Sequence, residues 1–178
     1  AEIRDEYKQY LVTTINQEAN PGSISANNPA GMTEIGAAFE KLPADVHFVR
    51  IPAMFGGLWN IHGQLFLTLE AMGVEHKVHN AVFEAIQKQG KRLTKPDEMA
   101  DFVATQGVDK DKFLATFNSF AIQGQIKQAK ELAQKYGVQG VPTLIVNGKY
   151  RFDIGSSGGP EKALEVADHL IAKERAAQ

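Results

Sequence analysis

Residues 137 to 153 read GVQGVPTLIVNGKYRFD, and the reading of this stretch decides the fold. Pro142 has no backbone N–H to give a strand ladder, so it belongs at the entry to a strand and not inside one. The short apolar run Thr143-Leu144-Ile145-Val146 that follows has the composition of a buried strand. Asn147-Gly148 is the strongest short hairpin signal, because both central residues of the favoured two-residue turn need positive φ. Lys149 to Ile154 is then the antiparallel partner. Gly155-Ser156-Ser157-Gly158-Gly159 reads as a loop, and Pro160 stands where the first residue of a helix belongs. That helix carries Leu164, Ala167, Leu170 and Ile171 on one face.

Upstream of the hairpin the chain is helical. Ala121 to Tyr136 repeats Ile122, Ile126, Ala129, Leu132 and Ala133 at helical spacing and stops at Gly137. Leu58 to Met72 and Glu75 to Gln89 are two more helices, ended by Gly73 and Gly90. Thr94-Lys95-Pro96-Asp97 resembles a capping box that opens a helix with Met99, Phe102 and Val103. Asp109 is placed to cap another, with Phe113, Leu114 and Phe117. Before these helices, Asp45 to Pro52 (DVHFVRIP) alternates as a strand, and residues 7 to 15 (YKQYLVTTI) form a second. Between the two strands lie an Asn, Pro, Gly and Ser-rich loop over residues 16 to 31 and a helix over Met32 to Leu42. Thr33 stands near the start of that helix, and Pro43 ends it. A β-α-β unit of this kind implies two parallel strands.

Composition removes several classes of function. A net charge of −2 and a pI near 6.2 give no support for nucleic-acid binding. No apolar run approaches the roughly 20 residues of a membrane-spanning helix. At 178 residues with 43% hydrophobic side chains, the chain builds a core without disulfides, as one domain or one domain with an insertion. It begins Ala1-Glu2-Ile3 without Met and shows no signal peptide, which fits a processed or trimmed chain. It contains no cysteine.

The segments EKLPADVHFVRIPAMFGG (40 to 57), LFLTLEAMGVEHKVHNAVFEAIQ (65 to 87), FNSFAIQGQIKQAKELAQKYGVQGVPTLIVNGKYRFD (117 to 153) and the final GGPEKALEVADHLI resemble the DsbA family of periplasmic thiol:disulfide oxidoreductases. The resemblance runs from about Glu40 to the C-terminus. It implies an α/β thioredoxin-like fold with an inserted all-α subdomain: residues 1–57 and 137–178 form the thioredoxin-like domain, and residues 58–136 the insert. It implies a periplasmic location, polypeptide substrates and, in the family, a quinone-linked membrane partner that reoxidises the catalytic dithiol. The departure falls where the family keeps its chemistry. Members carry a Phe-rich strand running into Cys-Pro-His-Cys at the start of the first long helix. Here PGSISANNPAGMTEIGAAF (21 to 39) stands instead, with the helix start somewhere in Ser23 to Gly31. Either Tyr10 to Ile15 replaces the Phe-rich central strand or the sheet is incomplete. Disulfide exchange requires a thiolate to attack sulfur, so a cysteine-free chain is expected to be redox-inactive and to need no quinone-linked partner.

The candidate site is therefore Val141, Pro142 and Thr143. The resemblance implies that Pro142 is cis, faces the first long helix, and leaves a backbone edge open to an extended or unfolded peptide. The alternative is a structural proline that only starts a strand. Ser23 and Ser25 form a second candidate. A related group of the same fold holds the glutathione thiolate with a Ser, and a helix N-terminus favours an anion. The plain reading is a polar loop. His76 and His79 stand at i, i+3 near Glu75, two imidazoles being too few for a zinc site, so no metal is expected, and no cofactor. His62 is expected to pack or cap, and His47 takes no role. Residues 155 to 160 lack the Lys and spacing of a phosphate loop. Phe48, Phe55, Trp59, Phe66, Phe83, Phe102, Phe113, Phe117 and Phe120 are expected mostly in the core; Met54, Phe55 and Trp59 alternatively line a groove beside Gly56-Gly57. Three readings follow: a redox-inactive DsbA-like protein, a non-catalytic peptide binder, and a Ser-type glutathione-using enzyme.

Overall fold

The structure is a computed structural model and describes residues 10–13 and 45–177. The expected helix over 32–42, with Thr33, and the loop over 16–31 lie outside the described residues. The chain divides into two compact units, one made of residues up to Ile51 and from Tyr136 onward, the other of Pro52–Lys135.

In the first unit, β1 (Tyr10–Thr13) pairs with β2 (His47–Arg50) in parallel, with Tyr10 opposite His47 and Thr13 opposite Arg50. β3 (Thr143–Val146) and β4 (Tyr150–Asp153) are antiparallel, with Leu144 opposite Phe152 and Val146 opposite Tyr150. β1 lies beside β3 as well as β2, so residues 10–13 occupy the strand position that the sequence left open. All four side chains of β3 are buried, as its unbroken apolar run demands, whereas β4 alternates half-buried and exposed. A helix, Pro160–Ala176, packs Ala163 and Ala167 against Leu144 and Val146, with Phe48, Tyr150 and Phe152 around them. Pro160 stands in its first turn, as expected.

The stretch after β4 differs from its expected loop. Ile154–Ser157 forms a helical turn, α6, and the closing helix is α7. The cause is a reciprocal cap. Asp153 Oδ1 accepts from the Ser156 N–H at 2.6 Å, and Ser156 Oγ accepts from the Asp153 N–H at 3.0 Å.

The second unit holds α1 (Leu58–Ala71), α2 (Glu75–Gln87), α3 (Pro96–Thr105), α4 (Lys110–Phe117) and α5 (Phe120–Lys135). The apolar faces of α1 to α4 meet in one core that includes Leu65, Leu69, Val82, Met99, Val103 and Phe113. Asp109 caps α4 as its position suggests, its Oδ1 accepting from the Lys112 N–H at 2.8 Å. α3 corrects the capping box expected at Thr94. Its N-cap is Lys95, whose side chain makes no cap bond, and Glu98 Oε2 accepts from the Thr94 N–H at 3.1 Å. A residue before proline is held extended, here with φ −113 and ψ 141 at Lys95, so the helix starts on Pro96.

Two aromatics expected in the core are not there. Phe120 is 92% exposed and Phe55 43%. Phe120 stands two residues before buried Ile122, about 200° around the helix from the apolar stripe. Phe55 precedes α1 and meets Trp59 edge-on, with ring centroids 5.2 Å apart.

Candidate functional site

The site residues sit on the segment that enters β3. The chain leaves α5 and reverses at Gly137, whose φ of 60° is strained for any residue with a Cβ. Arg151, on the outward face of β4, donates from Nη1 to the Tyr136 carbonyl at 2.6 Å and to the Gly137 carbonyl at 2.7 Å. A Cβ at position 137 would lie 2.6 Å from that nitrogen. Further along, Thr143 Oγ1 donates to the Gly140 carbonyl at 2.7 Å, drawing Gly140 to Thr143 into a tight bend. The Val141–Pro142 peptide bond inside the bend is cis. Pro142 is buried and Thr143 is 6% exposed, while Val141 is half-buried and Gly140 exposed. The backbone N–H and C=O of Val141 have no hydrogen-bond partner among the described residues. Val141, Pro142 and Thr143 thus form one continuous element: a buried pair, Pro142 and Thr143, with a polar backbone edge just ahead of it.

The far end of β3 is fixed by a carboxylate. Glu174, in the last turn of α7, is 8% exposed. It accepts from Lys149 Nζ at 2.7 Å and from the Asn147 side-chain amide. The Lys149 ammonium, and after it the Asn147 amide, hold its carboxyl below the ordinary value of 4.5. Its neighbour Arg175 grips Asp45 through two charge-assisted bonds, the Nη2–Oδ1 one at 2.6 Å, which lowers the Asp45 carboxyl from 3.8. Neither Glu174 nor Arg151 stands out in a reading of motifs. One signal was available for Glu174: a carboxylate in the last turn of a helix opposes the helix dipole and needs cations to hold it.

The remaining candidates are dispersed. Ser23 and Ser25 lie outside the described residues, and nothing in the described site adds to a glutathione reading. His62 is 5% exposed on α1 and donates from Nε2 to the Arg92 carbonyl at 2.9 Å, so it ties down a loop, as packing or capping requires. His79 turns to Glu75 and stacks against Phe83 with centroids 4.5 Å apart, while His76 is exposed. No group of three or more His, Asp or Glu among the described residues is placed to hold a metal ion. No helix among them is long and apolar enough to cross a membrane.

A parallel strand pair, a hairpin entered through a cis proline and a block of helices between them in sequence define a thioredoxin-like fold with a helical insertion. The DSBA-like thioredoxin domain family matches residues 34–163, and the chain belongs to that family. The thiol:disulfide interchange protein DsbA of Pseudomonas aeruginosa is 72% identical over 138 residues, covering 78% of this chain and 65% of that protein. The Pseudomonas syringae pv. tomato protein of the same name is 76% identical over 138 residues, covering 78% and 64%. The chain therefore spans just under two thirds of the length of these curated relatives. The crystal structure of Pseudomonas aeruginosa DsbA superposes with a TM-score of 0.88 at 59% identity, covering 99% of this chain and 89% of that one.

Proposed function

We propose that this chain is a redox-inactive member of the DsbA-like family, resident in the periplasm, that keeps the family scaffold without its disulfide chemistry. The observation that carries this reading is the absence of cysteine from all 178 residues. Thiol–disulfide exchange runs through a thiolate and a mixed disulfide, and no hydroxyl or amine substitutes for sulfur in that sequence. A quinone-linked membrane oxidase would likewise find no dithiol to reoxidise. The test is turnover by purified protein. Neither insulin reduction nor oxidation of a dithiol peptide is expected above the buffer rate, and measurable catalysis would refute the reading.

A second reading rests on the Val141 backbone. A backbone N–H and C=O with no partner among the described residues, next to a buried strand entry, is what an extended polypeptide needs to add itself by backbone pairing. On this reading Val141, Pro142 and Thr143 bind extended or unfolded peptide weakly and without catalysis. Titration with an unstructured peptide should move the amide resonances of Gly140, Val141 and Thr143 first. Unchanged shifts there would remove the peptide-binding reading and leave redox inactivity standing.

A further inference from the structure

The hairpin turn carries a reactive sequence and a lock on it. In Asn-Gly, the glycine nitrogen has no neighbouring Cβ to hinder its attack on the asparagine side-chain carbonyl carbon. The N–Cγ bond forms, the Cγ–Nδ2 bond breaks, and the amide proton leaves with the nitrogen as ammonia. Water then opens the resulting succinimide to aspartate or isoaspartate. Water is the only co-reactant.

Three features of the folded chain oppose this attack at Asn147. Its side-chain amide donates to Glu174, which points the leaving group across to α7. Its Oδ1 is buried and has no partner among the described residues. Negative charge would develop on that oxygen during attack, and a buried oxyanion without donors is strongly disfavoured. The turn itself is closed, with φ of 51° and 66° at Asn147 and Gly148 and the Lys149 N–H bound to the Val146 carbonyl at 3.0 Å. Glu174 also holds Lys149, so one carboxylate pins both sides of the turn.

We propose that Asn147 is a deamidation site gated by the hairpin: inert while Glu174 holds the turn, reactive when the turn opens. The product does not fit back. An aspartate there removes the donor to Glu174 and sets one carboxylate against another. An isoaspartate adds a backbone atom to a three-residue connection, Asn147 to Lys149, whose length sets the register of Val146 opposite Tyr150. Modification therefore records, irreversibly, that this end of β3 has opened.

The test is peptide mapping with isoaspartate detection on the full chain, incubated at constant mildly alkaline pH with and without urea. Because reaction through a rare opening scales with the open population, the native rate should fall at least about tenfold below the unfolded one. Glu174→Gln should raise the native rate by roughly three- to tenfold, and Lys149→Ala by less, through the same population effect. Phe113→Leu, in the helical unit, should leave it unchanged. Equal rates in native and unfolded protein would overturn the gate. A Glu174→Gln rate equal to that of the parent, or a Phe113→Leu rate raised as much as that of Glu174→Gln, would overturn Glu174 as its latch.

Discussion

Gly137 does two things that no other residue type does together. It takes a left-handed φ, and it leaves room for the Arg151 guanidinium. Gly137→Ala is expected to cost about 1–2 kcal/mol, since the backbone penalty is unavoidable while the flexible arginine tip yields. Urea unfolding followed by a probe in the sheet-bearing unit checks this. Leu144, fully buried in β3, is a cavity case, and Leu144→Ala should cost about 2–5 kcal/mol in the same experiment. At this scale the sequence was legible where chemistry is local. Pro142, Asn147 and Gly148 announce their roles through backbone restrictions of their own. Arg151 and Glu174 do not, because each finds its partner far along the chain, 15 residues back to Tyr136 and 25 back to Lys149. Nothing local to either residue says which carbonyl or cation it will meet.

Among the elements, a side-chain cap sets the start of α4 and α6, and a proline that of α3 and α7. Asp109 announces α4, and Asp109→Ala should cost about 1 kcal/mol, read as a lower midpoint in thermal unfolding of the helical unit. The helical turn α6 was hidden because Gly155-Ser156-Ser157-Gly158-Gly159 has loop composition, although Asp153 and Ser156 already stood at capping spacing. Thr94 misled for the opposite reason: it has the right chemistry for a cap, but Pro96 fixes the helix start one residue later. Phe120 shows the limit of spacing arguments at a helix end, where no preceding turn sets the phase. Its exposure predicts that Phe120→Ser changes stability by no more than about 0.5 kcal/mol, in contrast to Phe113 at full burial.

For the molecule as a whole, acid is the informative variable. Two adjacent residues at the end of α7 are paired across to the rest of their unit, Glu174 with Lys149 and Asn147, and Arg175 with Asp45. Both carboxyls titrate lower in the folded chain than their ordinary values of 4.5 and 3.8. The folded state therefore holds on to these charges more strongly than the unfolded one. Their stabilisation is complete above the ordinary carboxylate range and is lost as pH falls through that range and below it. The melting temperature should drop below about pH 4.5, with a shallower drop in Glu174→Gln and Asp45→Asn. An equally steep drop in both variants would assign the acid sensitivity elsewhere. Function was legible at this scale in two respects. The family frame is written along most of the chain, and the want of sulfur is written in its composition. Whether the Val141 edge takes a partner is what the peptide titration decides.

The Arg151 grip on Tyr136 and Gly137 has a bearing on how such a chain changes over time. Both carbonyls and the guanidinium belong to the sheet-bearing unit, so the point where the helical block hands the chain back is registered by the hairpin itself. Neither bond draws an atom from Pro52–Lys135, so a substitution within that range removes neither of them. Arg151 thus lets β4 set where the chain turns toward β3, through two bonds that stay within one unit.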